Sequence, residues 1–168
     1  MKVKNVIFLL TILIFLGLIG YIVLKNNQLE NYHSNITRNI QNDLVQLESA
    51  IDYEIKNKWK NENTVLEKVE DIKEDIDLLM DYGKRTGELT NQQEQNLSTL
   101  RRIFSDLPDY SGFPNTVLTE TEKKEFEKLI TNLRAAGVGM NITYEISWNY
   151  LSKAINTLAS NYYANGEL

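Results

Sequence analysis

The stretch between Tyr21 and Tyr82 contains neither glycine nor proline, and its apolar residues recur every three or four positions. This spacing is typical of one face of an α-helix. The apolar positions are Leu29, Tyr32, Ile36, Ile40, Leu44, Leu47, Ile51, Ile55 and Trp59. Because nothing in the stretch breaks a helix, the sequence predicts one helix that continues to about Lys60.

An apolar run, "VIFLLTILIFLGLIGYIVL", precedes this stripe over residues 6–24 and contains no charged residue. At about 1.5 Å per residue the run is about 28 Å long as a helix, close to the hydrocarbon thickness of a bilayer. The sequence therefore predicts an uncleaved transmembrane anchor in contact with lipid. The alternative is a cleaved signal peptide, whose apolar region is usually about 7 to 15 residues and ends in small residues.

Three capping boxes predict helix starts further along the chain. In a capping box, a Thr and a Glu or Gln three residues later each bond to the other's backbone amide. The three are Thr64 with Glu67, Thr90 with Gln93, and Thr119 with Glu122. They predict helices that run from Thr64 to a stop at Gly83, over about 91–106, and over about 120–136 with a stop at Gly137.

The apolar stripes of the second and last helices are the clearest after residue 60. That of the second is Val65, Val69, Ile72, Ile76 and Leu79. A last helix is predicted over about 141–163, with Asn141 as its cap. Its stripe is Tyr144, Trp148, Leu151, Ile155, Leu158 and Tyr162, widened by Ile142 and Ile146.

No stretch alternates apolar and polar residues over the length of a strand, so the sequence predicts an all-α protein. We expect an N-terminal transmembrane helix that continues into an antiparallel helical bundle of four to five helices. The expected division is a short cytoplasmic tail (1–5), a signal-anchor helix (6–24) and a helical bundle (25–168).

Charge predicts on which side of the membrane the bundle lies. Lys2 and Lys4 precede the apolar run, and positive residues tend to stay in the cytoplasm. We therefore expect the N-terminus inside and residues 25–168 outside, the alternative being a cytosolic bundle. After Lys25 the chain has 15 Lys and Arg against 23 Asp and Glu, which argues against nucleic acid and anionic lipid surfaces as partners. The absence of cysteine fits an extracytoplasmic bacterial protein.

The segment "KVEDIKEDIDLLMDYGKRTG", residues 68–87, is the strongest candidate for chemistry. Its acids are Glu70, Asp71, Glu74, Asp75, Asp77 and Asp81, which form carboxylate pairs at i,i+4 spacing. Such pairs lie on one helical face and could hold a divalent cation or share a proton. The favoured interpretation is the solvated side of an amphipathic helix, with Lys84 and Arg85 just past its negative end. Weak cation association stays open.

The other candidate binding or catalytic residues have weaker support. "GKRTG" lacks the order of a phosphate-binding P-loop, and His33, the only histidine, is expected on a helix surface near the membrane. Arg101 and Arg102 are expected at the surface. The sequence therefore predicts no catalytic residue, no metal ligand and no cofactor.

Four aromatic residues are predicted to contact a partner: Tyr110, Phe113, Tyr150 and Tyr163. The first two lie in a loop between prolines, and the last two lie off the apolar stripe of the final helix. The alternative for the loop is that its aromatics cover the end of the bundle. Gly17 and Gly20 lie three apart instead of the four of a dimerising G-x-x-x-G, so a homo-oligomer is left open.

These observations predict a membrane-anchored module that binds a protein partner at the cell envelope without catalysis, as an accessory, immunity or assembly protein. A sensory ectodomain that works through a membrane partner is the first alternative. An envelope enzyme that uses carboxylates alone is the second.

Overall fold

The computed structural model describes residues 3–110, 112, 116–143 and 145–164. Phe113 and Tyr144 lie outside the described residues. The chain divides into two compact units, Met1–Asn35 and Ile36–Leu168. Five helices follow one another: α1 (Val3–Lys56), α2 (Asn63–Thr86), α3 (Asn91–Ser105), α4 (Glu120–Ala135) and α5 (Trp148–Ala164). Because the described residues contain no strand, the all-α class is confirmed.

The N-terminal unit consists of the first part of α1. Every side chain from Val6 to Leu24 is exposed. The Thr11 hydroxyl donates to the Ile7 carbonyl oxygen at 3.0 Å, so this polar group is satisfied within the helix. By length and composition, this is the one helix in the described part of the chain that could cross a membrane.

The C-terminal unit is built on the predicted apolar stripes. In α1, Ile40, Leu44, Leu47 and Ile51 are buried as expected. Ile55 is 36% exposed, which corrects the prediction that the stripe continues to Trp59. The reason is that α1 ends at Lys56, and Lys58 and Trp59 then take positive φ angles that reverse the chain.

The start of α2 differs from its prediction. The N-cap is Glu62, with no capping side chain, so the predicted capping box at Thr64 is wrong. The Thr64 hydroxyl accepts instead from the side-chain Nδ2 of Asn61 at 2.8 Å. Helical bonding has already begun before Thr64, because the Val65 amide donates to the Glu62 carbonyl oxygen at 3.1 Å.

The end of α2 also corrects the sequence reading. Gly87, with φ of +69°, is the left-handed residue that closes the helix, whereas Gly83 lies inside it. The side chain of Leu89 folds back over Gly83 into the space that a Cβ would occupy. Gly83 is therefore a packing site, and Lys84 and Arg85 lie in the last helical turn instead of beyond it.

The capping boxes at Thr90 and Thr119 are confirmed, with both reciprocal bonds present. Gly137 closes α4 with φ of +83°, as predicted. In contrast, the last helix does not begin near Asn141. It begins at Trp148, because Ser147 accepts from the Tyr150 amide at 3.2 Å in the manner of an N-cap. Ile142 and Ile146 precede α5 and do not widen its face, and Ile146 is 42% exposed.

Contacts between helices fix their relative directions. The Asn96 side chain of α3 donates to Ser152 of α5 at 2.6 Å, near the start of both helices. The Tyr162 hydroxyl donates to Asp106 at 2.9 Å, near the end of both. Helices α3 and α5 therefore run in the same direction. Helices α2 and α3 pack together. They run in opposite directions, because Leu89, just before α3, contacts Gly83 near the end of α2, whereas Arg101 near the end of α3 contacts Asp77, earlier in α2.

Candidate functional site

The acidic face of α2 is largely an ion-paired surface. Four of its carboxylates contact cations: Glu70 with Lys73 at 2.6 Å, Asp71 with Lys68 at 2.7 Å, Asp77 with Arg101 at 2.9 Å, and Asp81 with Arg85. Asp71, Glu74, Asp77 and Asp81 are exposed, as predicted for a solvated face. Among the described residues, no group of three or more His, Cys, Asp or Glu could hold a metal ion.

Lys73 is not part of that exposed surface, because its side chain is buried. Its ammonium lies 2.6 Å from Glu70 and 2.6 Å from Asp109. Burial opposes the charge of Lys73, but the hydrogen bonds to Asp109 and Glu70 outweigh it and raise the pKa. The same contact lowers the pKa of Asp109. The pair attaches the segment after α3 to α2, and its role is structural.

Asp75 also does not belong to the solvated face of α2. This half-buried carboxyl group faces Asp43 of α1, and the two side chains are hydrogen-bonded. They lie in an open cleft of about 310 Å³ between α1 and α2. Its lining is entirely polar: Asn39, Asn42, Asp43 and Gln46 from α1, and Asp71, Glu74 and Asp75 from α2.

The electrostatics of Asp43 are unusual for an aspartate. Partial burial, together with the hydrogen bond and charge of Asp75 and the charge of Asp71, raises its pKa from 3.8 to about 7. Lys68 acts in the opposite direction, but this lysine is already paired with Asp71. Two carboxyl groups can share a hydrogen bond only when one of them carries a proton. The pair therefore binds a proton near neutral pH.

Asp43 is a residue that sequence reasoning missed. It stands beside the buried Leu44, as Asp75 stands beside the buried Ile76, so each helix places a carboxyl group at the edge of its apolar stripe. A short connection between α1 and α2 makes the two edges meet. That edge position is a signal in the sequence, but it does not specify which pair of acids comes together.

A second network surrounds Glu48 of α1. Its carboxylate is 5% exposed and accepts from Arg134 of α4 at 2.6 Å and from the Met140 amide at 3.0 Å. Arg134 also contacts Asp52 at 2.8 Å. Hydrogen bonds from Lys56 and Arg134 lower the pKa of Asp52. The network connects α1 to α4 and to the turn that follows α4.

Of the predicted partner-contact residues that the structure describes, Tyr150 and Tyr163 lie at opposite ends of α5 and do not share one surface. Tyr150 is half-buried at the start of α5 and donates its hydroxyl to the Gly137 carbonyl oxygen at 2.8 Å. Tyr163 is 41% exposed at the other end of α5, about 20 Å away at 1.5 Å per residue, with the Arg102 guanidinium 4.9 Å above its ring. Partial burial and Glu67 raise the pKa of the half-buried Tyr110. Partner contact by these residues stays a prediction.

Comparison of the chain with protein-family models, characterised proteins and solved structures gave no match.

Proposed function

We propose that this chain is a single-pass membrane protein whose residues 25–168 form an antiparallel helical bundle outside the cytoplasm and bind a protein partner without catalysis. The observation that carries the proposal is the N-terminal half of α1. Its side chains from Val6 to Leu24 are exposed on all sides of the helix. In water this apolar surface would be strongly unfavourable, whereas lipid would cover all of it.

The rest of the chain supports a binding role better than a catalytic one. Four acids of α2 that could serve a carboxylate enzyme are engaged in ion pairs, among them Glu70 with Lys73 and Asp77 with Arg101. A carboxylate-only enzyme of the glycosidase kind needs two carboxyl groups that face a substrate across a cleft. Asp43 and Asp75 face each other instead, in hydrogen-bond contact. Orientation rests on Lys2 and Lys4, which precede the apolar run.

Extraction of membranes at alkaline pH tests the anchor. The native chain is expected to stay in the pellet, whereas Leu13→Arg with Leu16→Arg is expected to release it. Each arginine near the centre of a span costs about 3 kcal/mol, so the two together remove much of the insertion free energy. The matched control is Leu13→Ile with Leu16→Ile, which keeps the apolar surface. Release of the native chain by alkali would refute the anchor.

A C-terminal phosphatase fusion, active only outside the cytoplasm, tests the orientation. High activity is expected, and activity confined to a cytoplasmic reporter would overturn the external placement. For partner binding, a photo-crosslinking residue at Tyr163 is compared with one at the exposed Lys128 of α4. A discrete product at Tyr163 alone is expected, and equal labelling at both positions counts against a binding surface there.

The enzyme alternative makes its own prediction. If α2 carries a carboxylate active site, replacing Glu70, Glu74 and Asp77 with their amides should abolish the cellular phenotype while helicity is retained. Under the proposed binding role, the phenotype survives. A crosslinked partner that has a cytoplasmic domain would favour the sensory alternative over an accessory role.

A further inference from the structure

The cleft between α1 and α2 brings two carboxyl groups together, those of Asp43 and Asp75. A structural contact between charged side chains would usually pair opposite charges. The charged residues of α2 that act on Asp43 are Asp75, Asp71 and Lys68, and Glu74 also lines the cleft. The α1 side chains that line the cleft beside Asp43 are the neutral amides of Asn39, Asn42 and Gln46. Negative groups therefore exceed positive ones at this interface.

A bound proton reduces this excess of negative charge. With one proton shared, the carboxyl groups of Asp43 and Asp75 bridge the two helices by a hydrogen bond. Without it, two carboxylates lie against each other in a half-buried site, where repulsion is weakly screened. The open cleft gives the charged side chains room to separate and admits water between them.

We propose that Asp43 and Asp75 form a proton-dependent latch, in which one shared proton holds α1 against α2 and its loss loosens the interface between these helices. The latch makes residues 36–164 responsive to pH, whichever partner the module binds. It rests on the cleft and on the carboxyl contact, and it does not depend on the membrane anchor.

The direction of the pH response follows from the pKa of Asp43. Between its unfolded value of 3.8 and about 7 in the folded chain, the folded state keeps a proton that the unfolded state releases. Stability from the latch is therefore complete at low pH and declines as the pH rises to about 7. At most, the folding constant falls tenfold per pH unit, the limit for one proton.

The test uses the full chain in lipid nanodiscs between pH 5.5 and 8.0. Ordinary carboxylates are already ionised in this range, and His33→Gln removes the chain's single histidine from the background. Because the chain has no cysteine, Arg38→Cys and Leu78→Cys can carry one spin label each, at exposed positions of α1 and α2. Electron spin resonance then measures the distance between the helices, and circular dichroism measures the melting temperature.

In the His33→Gln background, the label distance is expected to broaden towards longer values at pH 8.0, and the melting temperature to fall by several degrees. Asp43→Asn keeps a hydrogen bond to Asp75 without the extra charge. It should remove both responses and raise the melting temperature at pH 8.0. Asp75→Asn should do the same, which keeps the test decisive if one variant fails to fold.

Asp81→Asn is the matched control, because Asp81 is an exposed acid of α2 paired with Arg85. It should leave the pH response intact. The latch is overturned if the distance and the melting temperature do not change with pH in the His33→Gln background. It is equally overturned if the response persists in both Asp43→Asn and Asp75→Asn.

Discussion

Replacing Arg134 with methionine isolates the interaction that ties α4 to α1. The substitution keeps an unbranched apolar stem of similar length and removes the guanidinium, which contacts Glu48 at 2.6 Å and Asp52 at 2.8 Å. Asp52 is 30% exposed, more than Glu48, and it keeps Lys56 as a partner. The effect should therefore come from Glu48, whose carboxylate is 5% exposed.

The magnitude follows from that burial. Breaking a buried ion pair by removing one partner typically costs about 3 to 5 kcal/mol, because an uncompensated charge stays behind. Arg134 itself is 48% exposed, so water can reach part of the site and the lower end applies. The Met140 amide still donates to Glu48. We expect a loss of about 3 kcal/mol in the free energy of unfolding, or about 6 to 12 °C in melting temperature.

Urea unfolding of the full chain in detergent micelles measures this loss. Trp59 is a suitable reporter, because its ring lies 6.1 Å from that of Phe126 and so senses the contact of α4 with the segment that follows α1. Glu48→Gln in the Arg134→Met chain should recover about half of the loss, since a neutral amide costs less to bury than an unpaired charge. The control is Arg85→Met, whose exposed pair with Asp81 should contribute less than about 0.5 kcal/mol.

Two results would refute this reasoning. If Arg134→Met costs no more than Arg85→Met, then Glu48 does not depend on the guanidinium. If the effects of Glu48→Gln and Arg134→Met simply add, then the two residues do not interact, and the contact between α1 and α4 rests on apolar packing alone.

The remaining predictions concern α2 and the helix starts. Ile76→Asp, at a fully buried position, should lower the melting temperature by about 10 °C, and an unchanged melt would show that the face assignment is wrong. Gly87→Ala should cost about 1 kcal/mol in urea unfolding because of its positive φ, and Gly83→Ala should also destabilise through overlap with the Leu89 side chain. Thr119→Ala should cost about 1 kcal/mol by loss of a cap, whereas Thr64→Ala should cost less than about 0.5 kcal/mol; equal losses would contradict the cap assignment.

A helix start or end could be predicted from the sequence where the contact that fixes it lies within a few residues. Thr90 and Thr119 were identified correctly because a capping box is complete within four residues. Gly83 was misread because the side chain of Leu89, which folds back over it, decides its role. The start of α5 was misread because the apolar spacing continued upstream of Trp148, while the cap at Ser147 carried no capping-box signature.

The site was less predictable than the fold for the same reason. The solvated face of α2 follows from its stripe, but the exception at Asp75 depends on Asp43, which lies 32 positions earlier. Spacing within one helix shows which residues share a face, and it does not show which residues of another helix they meet. The buried position of Lys73 likewise depends on Asp109, in a segment without regular structure.

Above neutral pH, the ion pairs of the C-terminal unit stabilise the fold. The carboxyl pair of Asp43 and Asp75 destabilises it. Arg134 and Glu48 pair opposite charges, 2.6 Å apart. Asp43 changes charge at about 7, and a rise from 3.8 corresponds to about 4 kcal/mol at 1.4 kcal/mol per unit. Solvent screening of a half-buried group reduces this to about 2 kcal/mol. Asparagine at position 43 would avoid that loss and keep a hydrogen bond, so stability alone does not account for an aspartate there.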